Sequence, residues 1–339
     1  MNSKALGRQR AMLMTQFNTL FGHLDYTQVS LMRTIDNNEA AAFSLLEGMM
    51  LGDRGTRLEF SYSRSIAHPG EKAKPFDIDI LAEIYTAYVY HLINRGRYFN
   101  WRVYGGLEYL KVNMDALHGI SKIVDERLGT AAIGTVIDWR DDFISESLST
   151  VKLDLRQGLS GKQDLPSRVH GDPSFTSFRF FASRFQTVSQ RTTLQLALGG
   201  QYAFDPLLAS EQYSIGSYPF GRGYDPSTIN GDHAFAGKLE LRYDLTDFAA
   251  QIADLDSKRF SLGTFGFYDQ GRTWDYHRSD SERIASTGLG IRGEVKLDAA
   301  QHDEHKSLDF ELFAAWGLGD PIDPDKSGPA IRGRMVLNF

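Results

Sequence analysis

The stretch 211–245, EQYSIGSYPFGRGYDPSTINGDHAFAGKLELRYDL, constrains the fold more than any other part of the chain. Its second half alternates without a break. Phe235, Gly237, Leu239, Leu241, Tyr243 and Leu245 point one way, and Lys238, Glu240, Arg242 and Asp244 point the other. A period of two with apolar against charged residues describes a strand with one dry and one wet face. A soluble sandwich can produce one such strand. A membrane barrel must produce it all the way round, with lipid outside and a polar lumen inside. The first half of the stretch is a long loop rich in Gly, Pro, Ser and Asp, centred on Arg222-Gly223-Tyr224.

The rest of the chain repeats the alternation. Leu58, Phe60 and Tyr62 alternate with Glu59, Ser61 and Ser63. Phe99, Trp101, Val103, Leu107 and Tyr109 oppose Asn100, Arg102 and Glu108. Leu194, Leu196, Leu198, Tyr202 and Phe204 oppose Thr193, Gln195 and Gln201. Leu308, Phe310, Leu312, Ala314 and Trp316 oppose Asp309 and Glu311. The last segment sets Ile331, Gly333, Met335, Leu337 and the terminal Phe339 against Arg332, Arg334 and Asn338.

Composition agrees. The 339 residues include 22 Phe and 15 Tyr, a supply that suits interfacial girdles. Cysteine is absent, as suits a periplasm-exposed chain, although cytosolic enzymes can lack it too. A net charge of −6 gives no reason to expect nucleic acid as a partner. No apolar run reaches the ~18 residues of a transmembrane helix. Negative mean hydropathy is compatible with a barrel, because half of each strand is polar.

Sixteen strands are expected, near 8–17, 25–35, 40–51, 56–65, 80–93, 98–113, 126–139, 147–159, 174–187, 191–204, 210–216, 234–246, 259–270, 284–297, 307–318 and 330–339. Each has roughly the ten residues that a tilted barrel strand needs. Tight turns are expected at 52–55 and 94–97, and long polar loops at 66–79, 114–125, 160–173 and 217–233. Short turns on one rim and long loops on the other is the asymmetry of outer-membrane barrels. The fold class is therefore all-β: a 16-stranded antiparallel transmembrane β-barrel whose last strand pairs with its first. The single domain spans 1–339.

The opening MNSKALGRQRAMLMTQFNTLFG is basic but lacks the apolar core and cleavage site of a secretory signal. The chain is expected to be a fragment, or to have a misassigned start.

In this setting the chain resembles the barrel of two-partner secretion transporters, the ShlB/FhaC/HecB haemolysin secretion/activation family. That family lies within the superfamily of barrel-assembly outer-membrane proteins. The resemblance rests on three ordered motifs. The first combines Ser210-Glu211-Gln212, Gly221-Arg222-Gly223-Tyr224, Gly231-Asp232 and the strand Lys238 to Leu245. The second is Phe267-Tyr268-Asp269-Gln270-Gly271, and the third is Thr287-Gly288-Leu289-Gly290-Ile291-Arg292. The terminal Phe339 also matches. Similarity reaches back to Asn18-Thr19-Leu20-Phe21-Gly22-His23-Leu24-Asp25, so it covers nearly the whole chain. Gly221 departs from the family's Val at that position and predicts a more flexible or kinked loop tip. The family's upstream periplasmic transport-associated domains and plug helix are not visible in this chain.

The resemblance implies a loop folded back into the lumen, with Arg222 against an acidic residue on the wall. Asp269 qualifies by parity, because Gly263, Phe265, Phe267, Asp269 and Gly271 share one face. An Arg in a narrow, partly dry lumen needs a partner, and its planar guanidinium can bond one carboxylate twice. Gly223 allows a close turn, and Tyr224 can pack on the wall. The implied function is an outer-membrane pore of a Gram-negative bacterium. It passes a large unfolded exoprotein to the cell surface without ATP, and the Arg-Gly-Tyr loop is its gate. Its partners are that exoprotein, outer-membrane lipid and the barrel-assembly machinery that inserts it. No cofactor is expected. The alternatives are a barrel-assembly member of the superfamily, or a passive porin or outer-membrane enzyme.

Lys238, Arg242, Arg292, Arg332 and Arg334 share lumen parity with Glu240, Glu294, Asp309 and Glu311. Simple cross-strand pairing is the plain reading of these charges. Arg at Leu241 is expected to cost about 2–4 kcal/mol, and a change at Glu240 far less. His302, Asp303, Glu304 and His305 read as a solvated hairpin tip rather than a metal site. No serine has a nucleophile-elbow context, so acyl transfer is not expected.

Overall fold

The computed structural model describes residues 6–7, 9–22, 24–35, 39–117, 119–253, 259–277, 280–297, 306–319 and 328–339. His302, Asp303, Glu304 and His305 lie outside the described residues.

The strands are β1 (Arg10–Asn18), β2 (Asp25–Thr34), β3 (Ala40–Leu51), β4 (Thr56–Ala67), β5 (Asp79–Arg95), β6 (Phe99–Ala116), β7 (Ser121–Asp141), β8 (Ser147–Leu165), β9 (Thr176–Ser189), β10 (Thr192–Ala203), β11 (Tyr213–Ile215), β12 (Ile229–Gly231), β13 (His233–Asp244), β14 (Phe260–Trp274), β15 (Ser281–Lys296), β16 (Ser307–Gly317) and β17 (Ala330–Asn338). A short helix, α1 (Thr246–Ala253), links β13 to β14 and is the sole α-helix among the described residues. All strands except β11 and β12 form one antiparallel meander in chain order.

The expected alternation faces the expected ways. Leu239, Leu241, Leu312 and Trp316 are exposed, whereas Lys238, Glu240, Phe267 and Asp269 are buried. Cross-strand register joins the exposed residues into continuous rows. Leu196, Leu239, Tyr268, Thr287 and Trp316 stand side by side. Phe339 is also exposed, beyond the end of β17. An apolar belt of this extent has no place in water, and lipid covers it in a barrel. On the same outer face, the tyrosine rings of Tyr62, Tyr85 and Tyr109 stand 4.8 and 6.3 Å apart, as in an aromatic girdle.

Three expectations are corrected. First, the segment 210–216 is not a wall strand. Its core, β11, pairs with β12 in a separate two-stranded ribbon. Positive φ at Gly216 and Ser217 turns the chain away after three paired residues, and Pro219 lacks an N–H for a ladder. The wall therefore has fifteen strands among the described residues. Second, with an odd number of alternating strands, β1 and β17 run the same way. The expected antiparallel pairing of first with last strand is not found among the described residues. Third, the long loop expected at 114–125 is mostly strand, and β8 takes in the first part, 160–165, of the one expected at 160–173. β6, β7 and β8 have 18, 21 and 19 residues, well beyond the ~10 that cross a bilayer, so their ladders continue past it.

The rim asymmetry is present. Connections 52–55, 96–98, 142–146 and 190–191 are short and share one rim. The opposite rim carries 68–78, 166–175 and 204–232. The connection 245–259, with α1, is a long exception on the short rim.

Candidate functional site

The connection 204–232 lies inside the barrel. It touches strands that are far apart in the sheet: Glu211 bonds Arg156 of β8, Arg222 bonds Asp269 of β14, and the Tyr224 carbonyl accepts from Arg332 of β17 at 2.5 Å. Only a wall curled around the loop can make all these contacts. Apolar packing holds it too. Ile215, Phe220, Tyr224 and Ile229 of the loop are buried against Ala197, Ala234, Ala236 and Ile284 of the wall.

Two glycines set the path of the tip. Gly221 has φ +91°, a conformation that L side chains rarely adopt, and a Cβ there would also come within 2.8 Å of Ile284. The family's Val does not fit this backbone, so the tip is kinked here. Gly223 lies against β16, where a Cβ would meet the Gly317 backbone nitrogen at 2.7 Å. Tyr224 then covers Gly317.

Arg222 is 2% exposed, Asp269 0% and Glu240 2%, so this ion cluster is out of water. The Arg222 Nε donates to Asp269 Oδ2 at 2.9 Å and its Nη2 to Oδ1 at 2.8 Å. The Arg222 backbone N–H adds a third bond to the same carboxylate at 3.1 Å. Nη1 donates to Glu240. The guanidinium lies 3.4 Å over the Phe267 ring, a cation–π contact that completes its desolvation. Gly271, the last residue of the second motif, lies under Ile215 of the loop, where a Cβ would meet Ile215 Cδ1 at 2.8 Å.

Glu240 is a second acceptor that the motif reading left among the general lumen charges. It also receives Arg242 Nε at 2.8 Å and Arg292 Nη2 at 2.9 Å, with Lys238 Nζ at 3.7 Å. These charges converge on one carboxylate instead of pairing strand by strand. Glu240 carries the parity signal of every lumen residue, and nothing local distinguishes it.

Two further carboxylates hold the base of the loop. Glu211 accepts from Arg156 Nε at 3.1 Å and from Arg179 Nη2 at 3.0 Å, and Arg156 also bonds Glu108. Asp232, of the Gly231-Asp232 pair, is buried. It accepts from Arg168 Nη1 at 2.6 Å and from the Tyr276 backbone N–H at 2.9 Å. Gly231 packs against the Thr273 side chain and the Trp274 backbone, where a Cβ would come within 2.9 Å. Sequence reading marked Asp232 but missed Arg156, Arg168 and Arg179. They are single polar residues far away in the chain, and only the curled wall brings them to the loop.

Comparison with known proteins places this geometry. The model of the haemolysin secretion/activation protein family ShlB/FhaC/HecB matches residues 1–293. The chain belongs to this family. The family is one of secretion and activation proteins rather than of enzymes. No curated protein matches the sequence. Among solved structures the chain is similar to CdiB from Escherichia coli, with TM-score 0.78 and 17% identity over 99% of this chain and 60% of that one. CdiB from Acinetobacter baumannii follows at TM-score 0.69 and 15% identity, covering 97% and 56%. BamA from Haemophilus ducreyi lacking POTRA domains 1-3 has TM-score 0.59 and 12% identity, covering 96% and 67%. At these identities the likeness is one of fold, that of an outer-membrane β-barrel of Gram-negative bacteria. The chain spans about 60% of the length of the Escherichia coli CdiB.

Proposed function

We propose that this barrel is the pore of a two-partner secretion transporter. It passes a large unfolded exoprotein of haemolysin or adhesin type to the cell surface without ATP. In this reading, loop 204–232 is the gate and Arg222 is its latch. The observation that carries the reading is the buried Arg222 fork on Asp269 and Glu240, in the middle of a loop that occupies the lumen. A polypeptide cannot share the space that the loop fills, so passage requires the loop to shift. Charge-assisted bonds in a dry site give the closed position a definite energy, and moving the loop breaks them together. The bidentate geometry favours Arg over Lys, whose point charge cannot satisfy both oxygens.

The test is secretion of the cognate exoprotein by cells carrying wild-type or Arg222→Ala protein, scored beside heat-modifiable mobility of the barrel. A folded Arg222→Ala barrel that secretes nothing supports the latch. A folded variant that secretes normally overturns it. If secretion never depends on this protein while other outer-membrane barrels fail to insert in its absence, the barrel-assembly reading replaces the pore.

A further inference from the structure

Three tyrosines on the inner face of β2 to β7 share one arrangement. Each directly faces a glycine on the next strand: Tyr26 faces Gly48, Tyr88 faces Gly106 and Tyr104 faces Gly134. A Cβ at any of these glycines would run into the facing ring. Each hydroxyl donates to a carboxylate, Tyr26 to Glu59, Tyr88 to Glu108 and Tyr104 to Asp154. Glu59 and Asp154 stand beyond the glycine strand, in register with Gly48 and Gly134. Two strand spacings, about 9–10 Å, therefore separate Tyr26 and Tyr104 from their acceptors. A tyrosine reaches that far only by lying along the wall, and the missing Cβ leaves room for it. Tyr90 extends the surface, with its ring centre 6.0 Å from that of Tyr88 and 5.5 Å from that of Tyr104. The result is a low aromatic pavement instead of rings that project into the lumen.

The charges in the pavement are matched. Arg57 pairs with Glu59 at 3.0 Å, Lys152 with Asp154 at 3.3 Å, and Arg156 bonds Glu108 at 3.2 Å. The Arg57 guanidinium also lies 4.9 Å from the centre of the Tyr90 ring. Tyr26 and Arg57 come just after the connections 19–24 and 52–55, on the short-turn rim, which is the periplasmic one in outer-membrane barrels. The anchors of Glu211, Arg222 and Tyr224 fall on β8, β9 and β13 to β17. The pavement on β2 to β7 takes the other side of the lumen, where Tyr26, Tyr88 and Tyr90 are half-buried.

We propose that this pavement is the surface on which an extended polypeptide enters the lumen and slides through it. The inference rests on the pore reading and adds the path. A tyrosine is apolar on its face and polar at its tip, so rings laid along the wall touch an extended chain broadly without selecting a sequence. A lining with one sign of charge would concentrate oppositely charged segments, and the matched pairs avoid this. The glycines keep the rings down, so the path stays clear. The same hydrogen bonds brace neighbouring strands, and a track and a brace predict different results.

The experiment uses cells that carry this protein and an exoprotein fused to a fast-folding domain, which stalls the chain in transit. The photoreactive p-benzoylphenylalanine is placed at Tyr90 in the pavement, at Phe181, which packs against Phe220 of the loop, or at Tyr85 on the outer face. A crosslink to the stalled chain is expected from Tyr90 and none from Tyr85. Absence of a crosslink from Tyr90 overturns the proposal. If Phe181 crosslinks instead, the chain runs along the loop side and the pore reading stands. Secretion that continues in cells lacking this protein overturns the pore reading itself. A second comparison separates track from brace. Gly48→Val forces the Tyr26 ring off the wall, and Tyr26→Ala/Gly48→Val removes the ring. In heat-modifiable, folded barrels the single variant is expected to lose most of its secretion and the double variant to regain most of it. Unchanged secretion with the ring raised overturns the track. A double variant no better than the single one does so too, and leaves Tyr26 a brace. Should Gly48→Val fail to fold, the Tyr90 crosslink decides alone.

Discussion

The inner faces of the two halves of the wall have the same alternation but different surroundings. On β13 to β16, Ala236, Glu240, Asp269, Ser286 and Ala315 are almost wholly buried, because loop 204–232 lies against them. On β4 and β5, the inward Ser61, Ser63 and Thr86 are only half-buried. Ser61 and Thr86 share a hydroxyl hydrogen bond of 2.7 Å, and inward tyrosines satisfy carboxylates, Tyr26 on Glu59 and Tyr88 on Glu108. Period two identifies which residues face the lumen. It does not tell whether they meet water or a packed loop. One half of the lumen therefore behaves as a protein core and the other as a wet channel lining.

This contrast sets the largest expected effect. Arg222→Ala and Asp269→Ala should each abolish secretion while the barrel stays folded, since strand pairing does not involve the loop tip. The double variant should be no worse than either single one. Such non-additivity, with coupling of about 0.5–3 kcal/mol in loop-docking stability, is the mark of a shared contact. Loop docking can be followed by protease access to 217–230. Simple addition of the two defects would detach the latch from Asp269.

The next effect breaks the contrast directly. Glu240→Ala leaves Arg222, Arg242, Arg292 and Lys238 facing a site with one carboxylate fewer. Removing one partner from a buried ion cluster costs about 3–5 kcal/mol. Ser63→Ala, at an equivalent lumen position in the other half, should stay within about 0.5 kcal/mol. Urea midpoints of the heat-modifiable form compare the two. Equal shifts would mean that both halves are wet. This replaces the expectation that Glu240 tolerates change because it faces the lumen. That expectation treated the lumen as uniformly aqueous.

The outer face offers a third comparison. Leu241→Arg places a charge on the lipid side, at a cost of about 2–4 kcal/mol near the midplane. Arg191→Gln, on the rim where Arg191 meets the exposed Asp247 at 3.0 Å, should leave the refolding yield unchanged, because an exposed ion pair is screened by water. Similar losses at the two sites, measured by refolding yield into lipid vesicles, would argue that Leu241 packs in a protein core.

Much of this was legible in the sequence, for identifiable reasons. The facing of Leu239, Asp269 and Phe339 follows from local parity, and a single-residue error would invert the strand in which it falls. The Arg222–Asp269 contact followed from two motifs whose spacing the family resemblance supplied. Glu240, Arg156 and Arg168 were not legible as partners, because their role depends on which wall residues the loop reaches after the sheet curls. The strand misplaced at 210–216 had apolar and polar residues in the right order. Its limits were set by positive φ at Gly216 and Ser217, which alternation does not report.

The smallest expected effect tests the kink at the tip. Gly221→Val restores the residue that the family pattern carries at this position. In this backbone, φ is +91° and the new Cβ meets Ile284 Cδ1 at 2.8 Å. A β-branched residue in that region costs about 1–3 kcal/mol of local strain, and Ile284 must also give way. The barrel should keep its urea midpoint, because no wall strand is involved. The loop should become more open to protease, and secretion should change less than in Arg222→Ala, since the guanidinium and both carboxylates remain. Gly221→Ala carries the same strain with a smaller side chain and should lie between wild type and Gly221→Val. Unchanged protease access in Gly221→Val would mean that the tip relaxes to a family-like path at no cost. The kink would then be a consequence of having glycine there, and not a requirement of the latch.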